Sequence, residues 1–229
     1  MRLIRFLPDL PSKDQMLIEP TPVKQHVPEW YRIGESSFVE KGETHPGMKT
    51  CAPFLDIMLT GYVLLTPFDI LVGRKENGDL DIRWNGPSEW NLFIGERPKE
   101  LGQTIPRLPG HAPNGLTWSS KWGWKTPRGW STIVCHPFNR QDLPFFTLSG
   151  LIDSDKFSAN GNIPFFIKED FIGVIPAGTP FAQIIPIKRK SWKQVMDYGL
   201  YHLGKKQGRD IRQTGQSYKQ KLWIRKSYN

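Results

Sequence analysis

The sequence predicts a mostly β fold, a barrel or sandwich, followed by a C-terminal helix and a basic extension. Three observations carry this. The chain is 38% hydrophobic and 12% aromatic, and those residues gather in short runs rich in Val, Ile, Phe and Trp, which suit pleated, half-buried strands. The 21 Gly and 20 Pro are scattered singly between the runs, so they mark turns rather than disorder. The periodicity then changes at Ser191, where Trp192, Val195, Met196, Leu200 and Leu203 recur at helical spacing.

Taken in order, Arg2–Leu7 reads as a short strand ended by Pro8. Thr21-Pro22 is placed to cap and open a short helix toward Trp30-Tyr31, limited by Pro28. Glu35–Met48 is polar and reads as loop. Phe54–Leu59, Tyr62–Leu65 and Phe68–Gly73 form an apolar block broken by Gly61 and Pro67. Asn77-Gly78 between Ile70–Val72 and Leu80–Trp84 is a hairpin signal. Pro98–Asn114, with four prolines, reads as a long loop. Trp122–Trp124, Trp130–Val134, Phe145–Ile152, Ile163–Ile167, Phe171–Ile175 and Phe181–Ile187 complete the strands. Ser191 with Gln194 has the form of a capping box, and Gly204 is placed to stop the helix. The expected organisation is a mostly β domain over 1–190 and a helix with a basic tail over 191–229. A short helix is expected around Tyr218, Leu222 and Trp223.

At 229 residues the chain is long enough to bury a core without staples. Two distant cysteines, Cys51 and Cys135, make no disulfide framework and fit a reducing compartment. No run of 18 apolar residues predicts a membrane helix, and the N-terminus does not read as a secretory signal. The net charge of +9 is unevenly spread. From Lys188 onward, twelve Lys and Arg face two Asp, a net +10 that leaves about −1 for the first 187 residues. A near-neutral body with a basic extension suggests an appendage that meets a partner. The candidate contacts are Lys205, Lys206, Arg209, Arg212, Lys219, Lys221, Arg225 and Lys226.

Glycine-rich phosphate loops and Cys-x-x-Cys pairs do not occur, and the five histidines form no His-x-His or His-x-x-x-His pair, so no metal site is expected. Asp153 and Asp155 stand two apart and share a strand face, an arrangement able to activate a water or to cap backbone amides in an Asp-Ser-Asp turn. Six of the nine tryptophans lie between Trp84 and Trp130. They read as a core or interface cluster, or as a platform for unstacked bases.

Gly150-Leu151-Ile152-Asp153-Ser154-Asp155 resembles the third motif of the dUTPase family, whose fold is the β-clip. Ile175-Pro176-Ala177-Gly178-Thr179-Pro180-Phe181-Ala182-Gln183-Ile184-Ile185 resembles its fourth, and Thr126-Pro127-Arg128-Gly129-Trp130-Ser131 its phosphate-binding motif. The resemblance implies Asp153 as the water-activating base and Arg128, Gln183 and Phe157 as substrate contacts, with Mg²⁺ brought by the substrate's phosphates. Lys156 stands where the family's sugar-stacking aromatic is found, with Phe157 one place later. The family's first motif and glycine-rich arm are not evident.

A second set of residues is similar to a family of uncharacterised tailed-phage proteins. It comprises Lys49–Asp56, Gly61-Tyr62, Thr126-Pro127, His136-Pro137-Phe138-Asn139, Asp153 and Gly178–Lys188. It implies a phage setting, in the infected bacterium's cytoplasm or the virion. The expected function is therefore a non-enzymatic structural, assembly or binding protein on a β-clip domain. It would be a homo-oligomer or dock onto other virion proteins through its tail, with no cofactor and no membrane contact. The alternatives are a nucleotide pyrophosphohydrolase using Asp153 and a single-stranded nucleic-acid-binding protein using the tryptophans and tail.

Overall fold

The computed structural model describes residues 3–9, 18–97, 106, 108–214 and 218–228. The chain is mostly β, with several antiparallel sheets and a C-terminal helix. It divides into two compact units. One comprises Met1–Val23 and Gly61–Arg189, the other Lys24–Thr60 and Lys190–Asn229. The second unit thus joins a segment from early in the sequence to the basic extension.

At the centre of the first unit runs β16 (Pro180–Lys188), paired antiparallel with β11 (Trp130–Cys135) and β5 (Tyr62–Leu65). Outside these lie β13 (Gly150–Ile152) and β2 (Thr21–Pro22). Pro180–Ile185 are all buried, which explains why the run is apolar except at Gln183. The strands that resemble motifs three and four flank the same strand, β11. Gly61, just before β5, has φ +84°, and a Cβ there would lie 2.2 Å from the Ile184 carbonyl oxygen, so only glycine lets β5 approach β16.

A second sheet is ordered β12 (Phe145–Thr147), β14 (Asn162–Ile167), β9 (Leu116–Ser119) and β8 (Ile94–Glu96). A third holds β15 (Gly173–Ile175), β6 (Ile70–Arg74) and β7 (Leu80–Trp84). The Asn77-Gly78 turn joins β6 to β7 as expected, with Gly78 at φ +85° and the Asn77 side chain accepting from the Asp79 N–H at 3.1 Å. β1 (Arg5–Pro8) pairs with β10 (Trp122–Lys125).

The core gathers around Trp118, which stacks on Phe165 with ring centroids 3.7 Å apart. Its indole N–H donates to Thr147 Oγ1 at 3.2 Å, and that hydroxyl donates to the Phe181 carbonyl at 2.6 Å. One buried hydroxyl therefore satisfies polar groups from two sheets.

In the second unit, Glu29–Ile33 forms helix α1 and Ala52–Leu59 helix α2, with a hairpin of β3 (Ser37–Glu40) and β4 (Glu43–Pro46) between them. Several expectations change. Thr21-Pro22 is a strand, because Thr21 pairs with Val63; a 3-10 turn, Val23–His26, follows it directly, and the α-helix begins only after Pro28. The polar Glu35–Met48 is mostly hairpin, not loop. Most of the expected Pro98–Asn114 loop lies outside the described residues.

The expected helix at Ser191 does not form there. Residues 191–197 carry no regular structure. A 3-10 turn, Tyr198–Leu200, leads into helix α3 (Tyr201–Thr214), which contains Gly204 rather than stopping at it. Trp192, Val195 and Met196, the residues of the expected apolar face, are exposed. Tyr218–Leu222 forms a single wide helical turn, closed by the Trp223 N–H donating to the Tyr218 carbonyl at 2.8 Å.

Candidate functional site

The Asp-Ser-Asp segment leaves the end of β13. Ser154 is buried, and its hydroxyl bonds Thr126 Oγ1 at 2.7 Å and Thr132 Oγ1 at 2.6 Å. With Ser154 anchored inward, Asp153 and Asp155 flank it on the other side of the chain. Both meet Arg189, the residue after β16. Asp153 Oδ1 accepts from Ser131 Oγ at 2.8 Å and from Arg189 Nη1 at 3.0 Å. Asp155 accepts from Arg189 through both oxygens, Nη1 lying 2.8 Å from Oδ1, and from the Gly129 N–H at 2.8 Å. Register places Arg189 here: Lys188 pairs with Trp130, so the next residue lies beside Gly129, whose carbonyl accepts the Arg189 N–H at 2.9 Å.

The hydrogen bond from Ser131 chiefly holds the Asp153 carboxyl below the usual carboxylate range, helped by Arg189 and opposed by desolvation and the Asp155 charge. Asp155 is pulled down to about 2, first by the Arg189 hydrogen bond and then by that of Gly129. Both are ionised and matched at neutral pH. A general base works best with a pKa near the operating pH, and these two are moved away from it. The arrangement is a clamp that fixes the end of β16 to β11 and β13.

The remaining candidates are dispersed. Gln183 is fully buried, and its side-chain oxygen accepts the Phe138 N–H at 2.9 Å. It pairs with Cys135, whereas Ile152 pairs with Thr132, three residues back along β11. That separates Gln183 from the aspartates by roughly 10 Å of strand. Arg128 is exposed on the turn before Gly129. Phe157 is exposed, and its N–H donates to the Asp153 carbonyl at 2.9 Å, closing the turn. Arg189, which sequence reasoning missed, is the partner both aspartates need.

A mostly apolar cavity of about 380 Å³ opens beyond the other end of β11, among His136, Phe138, Arg140, Phe145, Phe146 and Lys168. His136 stacks on Phe146 at 4.9 Å, with Nε2 3.0 Å from the Arg140 carbonyl and Nδ1 3.3 Å from the Thr147 N–H. This fits the neutral tautomer protonated at Nε2, and burial lowers its pKa. Arg140 is paired with Asp142, and Lys168 donates to the Gln141 carbonyl at 2.8 Å, so the cavity's rim cations already have partners.

The tryptophans do not form a base-stacking platform. Trp90, Trp118 and Trp124 are buried, and Trp84, Trp122 and Trp130 are partly buried. The basic tail divides in two. Lys205, Lys206 and Arg209 lie exposed on α3, with Lys205 4.9 Å from the Tyr201 ring centre. The Arg212 side chain lies outside the described residues. The last stretch, with Lys219, Lys221, Arg225 and Lys226 exposed, is anchored to α2: Trp223 Nε1 donates to Asp56 Oδ2 at 2.8 Å and Lys226 Nζ at 2.6 Å. The stretch that follows Arg189 in sequence is an exposed apolar arm, in which Trp192 is 91% and Tyr198 88% exposed, with Val195, Met196, Leu200, Tyr201 and Leu203 also open.

Among the described residues no group of three or more His, Cys, Asp and Glu is arranged to hold a metal, and no helix is long and apolar enough to cross a membrane. No protein-family model and no curated protein matches this sequence. Among solved structures the chain is similar to a mutant dUTPase from phage phi11 of S. aureus, described with a structural Mg(II) ion. The TM-score is 0.31 and the identity 11%, over 61% of this chain and 84% of that one.

Proposed function

We propose that the protein is a non-enzymatic assembly module of phage type, a β-clip unit whose copies join through the arm around Trp192–Leu203. The observation that carries this reading is the exposure of seven large apolar side chains within twelve residues. Together they offer on the order of 800 Å², about one side of a standard protein interface. A monomer gains nothing from holding that surface in water.

The partner that fits is a second copy of this chain. The third sheet of the β-rich unit has an exposed apolar face in which Leu71 and Val174 are cross-strand partners and Ile172 lies beside them. Exposed Glu169 and Asp170 immediately precede that patch in sequence. An apolar arm complements this apolar patch in character, and Arg83, the other cross-strand partner of Leu71, has its charge matched by Asp81. The engagement of Asp153 by Ser131 and Arg189 is why the hydrolase reading is not preferred.

Sedimentation velocity tests the proposal. The native chain should sediment as an oligomer of the 26.4 kDa protomer. Trp192→Ser with Met196→Ser, or Val174→Asp alone, should give folded monomers. A native chain that is monomeric at about 50 μM, roughly a thousandfold above the Kd of a well-matched interface, would sink the idea. So would variants that remain fully associated.

A further inference from the structure

We infer that the second unit carries a binding pocket for a small phosphorylated ligand of nucleotide size, separate from the apolar arm and from the Asp153–Arg189 clamp. A cavity of about 380 Å³ lies between α2 and the anchored tail, within the range of small-molecule sites. Its charge is one-sided. Lys24, Lys49, Lys219, Arg225 and Lys226 line it, and Asp56 is the only carboxylate among the lining residues. Asp56 is already occupied, by Lys226 Nζ at 2.6 Å and Trp223 Nε1 at 2.8 Å.

The site is held in shape. Lys49 Nζ donates to the Arg32 carbonyl at 2.6 Å and the Gly34 carbonyl at 3.1 Å, which fixes the ammonium and leaves one of its three N–H groups. The tail wall is fixed through Asp56 at one point and, at another, by Tyr228, whose hydroxyl bonds Thr60. Burial raises the Tyr228 pKa, so the phenol remains a neutral hydrogen-bonding group. Concentrating cations in a concavity raises the local potential for anions.

The remaining lining narrows the ligand class. Leu55 and Leu59 of α2 and the rings of Trp223 and Tyr228 supply apolar and aromatic surface beside the cations. A ligand with an anionic phosphoryl end and a flat or apolar body matches both halves.

Isothermal titration of the full chain at low ionic strength, with pyrophosphate, ADP and adenosine as probes, tests this. Pyrophosphate and ADP should bind saturably and adenosine should not. Tighter binding of ADP would assign a contact to the base, and equal binding would make the phosphoryl group sufficient. Lys219→Gln with Arg225→Gln, which spares the Asp56 anchors, should weaken binding at least tenfold without changing the melting temperature of the free protein. The inference is overturned if no probe saturates by about 1 mM, a Kd worth roughly 4 kcal/mol. It is also overturned if the double variant binds like the native chain, or if a single-stranded oligonucleotide binds while pyrophosphate and ADP do not. None of these outcomes depends on the oligomeric state.

Discussion

Arg189 reaches Asp155 with two guanidinium nitrogens, Nη1 lying 2.8 Å from Oδ1, and the same Nη1 lies 3.0 Å from Asp153. The pairing closes the β-rich unit at its last residue, and it sets how stability responds to acid. The native Asp155 carboxyl is depressed from 3.8 to about 2, so the unfolded chain takes up the proton first as pH falls. The stabilisation is therefore complete above about pH 5, declines below the unfolded pKa of roughly 3.9, and is gone below the folded one. Arg189→Gln should lower the melting temperature at pH 6 and flatten its fall between pH 5 and pH 2. Parallel melting profiles for the two proteins across that range would show that the clamp contributes nothing.

Thr147 tests the core in the same spirit. Its hydroxyl accepts from Trp118 and donates to the Phe181 carbonyl with no access to water. Thr147→Val keeps the shape and strands both partners, which costs about 1–3 kcal/mol, or several degrees in Tm for a chain of this size. Thr147→Ser keeps the hydroxyl and should lose less. Thermal unfolding by circular dichroism separates the two, and a loss in Thr147→Val no larger than in Thr147→Ser would show that the hydroxyl contributes no more than the methyl group.

Much of the β-rich unit was legible because its signals are local. Asn77-Gly78 fixes a turn between two alternating runs, and the buried stretch Pro180–Ile185 reads as a central strand without reference to anything else. The β3–β4 hairpin was not legible, because every residue of β3 is exposed and no apolar alternation marks it. Its signal was Lys41-Gly42, both at positive φ, 52° and 83°, as a two-residue hairpin turn requires. The run Ala52–Leu59, apolar apart from Asp56, does not by itself separate strand from helix, although Pro53 in the first turn favours the helix. At the candidate site, the common face of Asp153 and Asp155 followed from their spacing. Their function did not, because the deciding cation lies 34 residues beyond Asp155 and arrives only through the register of β16 on β11.

The two cysteines should react at very different rates. Cys51 is exposed, whereas Cys135 is buried and its thiol is pushed up to about 11. At pH 8 about one Cys135 in a thousand is then thiolate, the reactive form. Titration with a disulfide reagent should show one fast thiol and one slower by at least about a hundredfold, the slow phase becoming fast in denaturant. Cys51→Ser should remove the fast phase alone. Two fast thiols in the folded protein would mean that β11 opens readily.

Asp56 governs whether the C-terminal stretch stays on α2. It accepts from Trp223 and Lys226 while only 14% of its side-chain surface is exposed, so removing it leaves an indole N–H and an ammonium without their acceptor. Asp56→Ala should release the tail, while Asp56→Asn, which keeps an acceptor for the indole, should hold it in part. Limited trypsin digestion reads this directly, since cleavage after Lys219, Lys221, Arg225 or Lys226 requires the segment to leave its support. Cleavage should be fastest in the alanine variant, intermediate in asparagine and slowest in the native chain. Added salt should accelerate the native protein most, because it weakens the Lys226 ion pair that the variants already lack. Equal cleavage in all three would mean that the aspartate does not hold the tail.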